Sequence, residues 1–209
     1  MKRFICLFFL LSGLFANASF GQEYFQQQVD YLISVTLNDS LHEIQGDISM
    51  EYTNNSPDQL SFIYMHLWPN AFQDLGTAFA KQRLEDGSTR FYYADQKERG
   101  NIDQLDFKVD NKTVNWEYDA DHLDIAIIRL NEPLVSGGKI TITTPFKVQI
   151  PKSFSRLGHV GQSYQMTQWY PKPAVYDKNG WNPMPYLDMG EFYSEFGNFE
   201  VSTNHIILR

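Results

Sequence analysis

Val29-Asp-Tyr-Leu-Ile-Ser-Val-Thr-Leu37 is the stretch that decides the fold. Val29, Tyr31, Ile33, Val35 and Leu37 alternate with mostly polar neighbours, so an extended chain there has one apolar face and one wet face. A half-buried strand repeats every two residues, whereas an amphipathic helix repeats every 3.6. Leu123, Ile125 and Ile127 show the same alternation, as do Ile140, Ile142, Phe146, Val148 and Ile150. Strand-like runs also occupy 41–53, 60–68, 102–109, 113–118 and 199–208. Turn-forming residues separate them at Asn54-Asn-Ser-Pro-Asp58, Asp110-Asn-Lys112 and Ser136-Gly-Gly138. About eight or more short strands divided by turns predict an all-β chain, an antiparallel β-sandwich.

One short helix interrupts this pattern. Thr77 can cap Ala78-Phe-Ala-Lys-Gln-Arg-Leu84, and Gly87 can end it. Phe79, Leu75 and Leu84 would face the sheet. The remainder of 74–100 reads as a polar excursion between strands. No internal repeat or low-complexity linker divides the chain, so 22–209 is predicted to be one domain.

Residues 1–21 read as a separate targeting segment. Lys2 and Arg3 precede a dozen nearly all apolar residues, Phe4 to Phe15, and Ala16-Asn17-Ala18 fits a small-x-small cleavage pattern. A run this short is a secretory signal rather than a membrane span. Cleavage after Ala18 or Gly21 is expected, and export to the periplasm or beyond follows. The sole cysteine, Cys6, lies within that signal. The mature chain would then carry no thiol, which excludes disulfides, cysteine metal ligands and a thiol nucleophile. The formal charge of −8 falls to −10 when Lys2 and Arg3 are removed. An acidic surface argues against nucleic acid and anionic membrane as partners.

Aromatic residues make up 15% of the chain and crowd the last third, from Phe154 to Phe199. Within that region lies Met166-Thr-Gln-Trp-Tyr-Pro-Lys-Pro-Ala-Val-Tyr-Asp177. Pro171 and Pro173 forbid a helix and bias Tyr170 and Lys172 toward extended backbone. A stiff segment of this kind holds its side chains in place. Gln168 is then a single uncharged amide set among rings, and two roles remain open for it. It could contact a small ligand, or it could cap backbone at a strand end.

The remaining motifs exclude more than they assign. His42-Glu-Ile-Gln-Gly46 opens like the zinc-binding H-E-x-x-H but carries Gly46 where the second histidine belongs, and its flanks alternate like a strand. His66, His122, His159 and His205 have no partner at ligand spacing, and His66, between Met65 and Leu67, reads as packed. No G-x-S-x-G, P-loop or Rossmann glycine pattern is present.

Three stretches resemble the first domain of zinc metallopeptidases of the aminopeptidase N family, the group that also contains leukotriene hydrolase. They are Val29-Asp-Tyr-Leu-Ile-Ser-Val-Thr-Leu-Asn38 with His42-Glu-Ile-Gln-Gly-Asp47; Ile63-Tyr-Met-His-Leu-Trp-Pro-Asn-Ala71 with Thr77-Ala-Phe-Ala-Lys81; and Tyr164-Gln-Met-Thr-Gln-Trp-Tyr-Pro-Lys-Pro173 with Gly180-Trp-Asn-Pro-Met-Pro-Tyr186 and Gly190-Glu-Phe-Tyr-Ser-Glu-Phe-Gly197. The resemblance implies a β-sandwich laid over a zinc-bearing catalytic domain. It also implies that Gln168, preceded by Thr167, helps hold the free α-amino group of a peptide N-terminus. The family's G-x-M-E-N and H-E-x-x-H signatures do not occur in this chain, and its usual block after T-Q is replaced by Trp181-Asn-Pro-Met-Pro-Tyr186. The resemblance therefore places zinc in the full-length protein and none in residues 22–209. It makes the chain the front part of a longer enzyme, inactive alone, whose catalytic domain packs near Trp169, Tyr170, Tyr176 and Trp181. The competing expectation is a stand-alone secreted β-sandwich that binds peptide or carbohydrate.

Overall fold

A computed structural model describes residues 24–206, with side chains to 204. The expected signal at 1–21 and the side chain of His205 lie outside the described residues. The strands are β1 (Gln28–Asn38), β2 (Glu43–Thr53), β3 (Leu60–His66), β4 (Asn101–Asp103), β5 (Lys108–Val109), β6 (Lys112–Thr113), β7 (Asn115–Tyr118) and β8 (Ile125–Leu134). They continue with β9 (Lys139–Gln149), β10 (Gly158–Val160), β11 (Ser163–Gln165), β12 (Lys172–Pro173), β13 (Val175–Asp177), β14 (Gly180–Asn182) and β15 (Phe199–Ile206). One sheet runs β15-β1-β2-β9-β5-β6, with β4 also on β9; a second runs β12-β3-β8-β7. Among the described residues, every pairing between these strands is antiparallel except β1 with β15. The all-β antiparallel sandwich read from the sequence is the observed architecture.

The alternation seen in the sequence becomes burial. Val29, Tyr31, Ile33 and Val35 are buried, and Leu32 on the opposite face is 52% exposed. Ile140, Ile142, Phe146 and Val148 of β9, and Ile150 just after it, fill the same core. Apolar area removed from water at about 25 cal/mol per Å² is the main favourable contribution here.

The phase of β8 differs from the expectation. Ile125, Ala126 and Ile128 are buried, while Ile127 is half-buried on the other face. The run Ile125-Ala-Ile-Ile128 is apolar throughout, so its sequence does not specify a phase. Ile127 pairs with Tyr64, whose ring meets Trp181 edge-on at 6.0 Å. The β13–β14 hairpin thus covers part of the outer face, and β8 is apolar on both sides.

The turn at 54–58 forms as expected. Asn54 Nδ2 donates to the carbonyls of Asp58 (2.8 Å) and Leu134 (3.1 Å), and Ser56 Oγ donates to Asn54 Oδ1 at 2.6 Å. Both residues are fully buried, and these bonds repay their desolvation. The helix α1 (Ala78–Glu85) is capped by Thr77, whose Oγ1 accepts from the Ala80 amide at 3.2 Å. Gly87 ends it at φ +78°, a left-handed conformation that glycine adopts without strain. Phe79 is buried and Leu84 is 40% exposed, so Leu84 does not join the packing face. The helix packs into a second aromatic cluster of Trp68, Phe72, Phe79, Phe91 and Tyr186. Trp68–Phe72 is a short 3-10 turn, so the strand expected over 60–68 ends at His66.

Candidate functional site

Gln168 does not sit in a strand. β11 ends at Gln165, and Gln168 occupies a bend at φ +57°. A non-glycine residue in that region carries local strain, which persists only where the surroundings impose it. Thr167 is one such constraint, because its Oγ1 donates to the Arg156 carbonyl at 2.7 Å. Trp169 and Tyr170 are another: the two rings meet edge-on at 5.3 Å, and both pack on the sandwich core.

The side chain of Gln168 is half-buried, and its Oε1 accepts from the Lys172 ammonium. Lys172 is 3% exposed. Its Nζ also donates to Ser194 Oγ at 2.6 Å and lies 4.0 Å from the centre of the Trp68 ring. The two prolines of the sequence explain the placement. They hold Lys172–Pro173 extended as β12, which pairs with β3 so that Lys172 stands opposite His66. His66 is fully buried and stacks on Trp68 at 4.4 Å. Its Nε2 accepts from the Met184 amide at 3.2 Å, so the ring proton is on Nδ1, which has no partner among the described residues.

Burial dominates the electrostatics of this cluster. It pushes the Lys172 ammonium down to about 7 and the His66 imidazolium down to about 3, the latter helped by the lysine charge. His66 is therefore a neutral packed residue, as its sequence context indicated. The arrangement is an amide oxygen already oriented toward an ammonium, with an aromatic face beside that cation. An amide oxygen has two lone pairs, so the bond from Lys172 leaves capacity for a second donor.

Among the described residues, no three His, Cys, Asp or Glu side chains converge as ligands for a metal ion. The donor set does not fit zinc, and no step through a metal is assigned to these residues. His42 and His159 stack at 3.7 Å, and His42 Nδ1 is 2.8 Å from the Tyr164 hydroxyl, an aromatic contact rather than a ligand set. Trp169, Tyr170, Tyr176 and Trp181 are half-buried against the domain's own core.

No family model matches this chain, and no curated protein matches it. Solved structures do. An M1 zinc metallopeptidase from Deinococcus radiodurans aligns at 13% identity and a TM-score of 0.35, over 63% of this chain and 22% of that one. A mutant of that enzyme bound to a Tyr-Ser-Ala substrate aligns at 12% identity and a TM-score of 0.38, over 67% and 25%. The chain thus spans a quarter or less of those structures, and likeness at this level does not establish kinship.

Sequence reasoning singled out Gln168 but missed the cluster that holds it. Lys172 was the available signal: a lysine clamped between two prolines in an aromatic stretch is poorly placed to reach solvent. Trp68 and Ser194 gave no sign, because only the fold brings residues more than a hundred positions apart to the same ammonium.

Proposed function

We propose that this chain is the substrate-contacting β-sandwich domain of an exported zinc-dependent aminopeptidase, which removes N-terminal residues from peptides. The zinc, its ligands and the general base belong to a catalytic domain beyond residue 209, so this chain alone is inactive. Gln168 contributes one wall of the site. The observation that carries the reading is the geometry of that residue: a strained, half-exposed glutamine whose amide oxygen faces an ammonium. It is the acceptor a peptide's α-ammonium requires, and it adds no charge to compete with a metal. The catalytic domain would pack over Trp169, Tyr170, Tyr176 and Trp181; an interdomain contact covers about 600–1,500 Å².

Two experiments test this. The open reading frame beyond Arg209 is expected to contain H-E-x-x-H followed by a distant glutamate; a continuation without it sinks the proposal. In the full-length enzyme, Gln168→Ala is expected to lower kcat/KM for free-amine peptides by about 1–3 kcal/mol, the worth of one charge-assisted hydrogen bond. Amine-blocked substrates should lose far less, because they never made that bond. Equal losses on both substrate types would make Gln168 a structural residue only.

A further inference from the structure

Three segments close around a cavity of about 590 Å³: residues 24–26 ahead of β1, residues 175–178 at β13, and residues 192–196 leading into β15. Phe25, Tyr176 and Phe192 form half-buried walls, and Tyr24, Tyr193 and Phe196 stand exposed at the rim. Phe25 and Tyr176 stack with centroids 6.3 Å apart. Set among these rings is Glu195. It is 8% exposed, and its Oε1 has no hydrogen-bond partner among the described residues.

The loop bearing Glu195 cannot easily swing away. Gly197 runs flush against β1, where an added Cβ would lie 1.6 Å from the Val29 carbonyl oxygen. The Val29 amide donates to the Phe196 carbonyl at 3.3 Å, the Tyr31 amide to Asn198 at 2.8 Å, and the Asn198 amide to Asp30 Oδ1 at 2.9 Å. These bonds pin the chain one and three residues after the carboxylate.

A buried carboxylate oxygen without a donor is costly. Burial pushes Glu195 up to about 7, against the amide of Tyr176, the Gln26 side chain and the amide of Gln27, and with help from the Asp177 charge. Asp177 also lines the cavity, and the Tyr193 hydroxyl donates to it at 3.3 Å. Lys178, a cation lining the same cavity, is exposed. Two carboxylates, one of them buried with an unpaired oxygen, and six aromatic rings have one common complement: a cation with an apolar body.

We propose that this cavity binds an organic ammonium, with Glu195 as its counter-ion and the rings of Phe25, Tyr176 and Phe192 against its apolar part. Oε1 itself is sealed from solvent, so an ammonium in the cavity would balance the charge of the carboxylate beneath the lining rather than bond that oxygen, and aromatic faces attract cations while tolerating their alkyl groups. A neutral ligand of the same shape satisfies the rings and leaves the carboxylate without a counter-ion. Free amines and lysine side chains of peptides share this chemistry. The inference does not rest on the peptidase reading, and either can fail alone.

The purified chain is titrated by intrinsic fluorescence with benzylamine, tetramethylammonium, an acetylated lysine amide and, as the neutral control, benzyl alcohol. Benzylamine is expected to bind saturably and benzyl alcohol at least about tenfold more weakly, with Glu195→Gln weakening benzylamine about tenfold and leaving the alcohol unchanged. Tighter binding of the lysine amide than of benzylamine supports a peptide side chain as the occupant; the reverse supports a free amine. The proposal is overturned if the alcohol binds as well as the amine, if Glu195→Gln binds the amine like the parent, or if nothing saturates by about 10 mM. Should Glu195→Gln fail to fold, Phe25→Leu removes a ring and keeps the carboxylate. It is expected to weaken tetramethylammonium several-fold, and unchanged affinity overturns the proposal equally.

Discussion

The ammonium of Lys172 lies 4.0 Å from the centre of the Trp68 ring, although 104 residues separate the two in sequence. β12 pairing with β3 brings the lysine to the strand that ends just before Trp68, and burial of the pair makes the lysine charge expensive. The ring face and the acceptors on Gln168 and Ser194 offset only part of that cost, which is why burial still pushes the ammonium down to about 7.

The sign of the resulting pH dependence follows. The ordinary lysine value is 10.5 and the folded value about 7, so between them the unfolded chain binds the extra proton. Stability contributed at this position therefore rises with pH across that window and is lowest below about pH 7. Lys172→Met is expected to stabilise the domain by about 1–3 kcal/mol at pH 6, with the gain fading toward pH 10. Urea midpoints at the two pH values check this. A gain independent of pH would show that packing, not charge, is responsible.

Gln168 allows backbone and side chain to be separated. Its φ of +57° strains any residue with a Cβ, so Gln168→Gly is expected to be about 1 kcal/mol more stable than Gln168→Ala. Gln168→Ala keeps the strain and takes an acceptor from the buried Lys172 ammonium, so it is expected to cost about 1–3 kcal/mol. Thermal melts of both variants decide. A glycine variant less stable than the alanine variant would mean that the positive φ carries no strain at this bend.

Gly197 lies against β1 so closely that no side chain fits. Gly197→Ala should push the loop off Val29 and cost more than about 2 kcal/mol. Amide exchange of Tyr31, whose N–H bonds the Asn198 carbonyl, should accelerate with it. Parental exchange at Tyr31 would refute the pinning.

His66 predicts an acid limb. Its ordinary value is 6.5 and its folded value about 3, so stability present above pH 6.5 is lost as pH falls toward 3. A loss of about 2 kcal/mol is expected between pH 6.5 and 5 from this ring alone. His66→Gln, which does not titrate and can still accept from the Met184 amide, should flatten that limb. A ring proton shift in NMR that titrates near pH 6 would contradict the buried neutral state.

The sandwich was legible because alternation is local: residues 29–37 and 140–150 each carry their own inward face, and a period of two has one structural meaning. The cap at Thr77 and the turn at 54–58 were legible for the same reason. The phase of β8 was not, since Ile125-Ala-Ile-Ile128 is apolar on both faces and only the neighbouring strand and the β13–β14 hairpin select one.

The candidate site divides along the same line. Its composition marked Gln168, and the two prolines already stiffened the segment behind it. The bend at Gln168, its bond to Lys172, the stacking of His66 on Trp68 and the orphaned oxygen of Glu195 were decided by tertiary structure alone. Each depends on residues distant in sequence sharing one desolvated space, where removal of water sets a charge's cost and the available partners set how much is recovered.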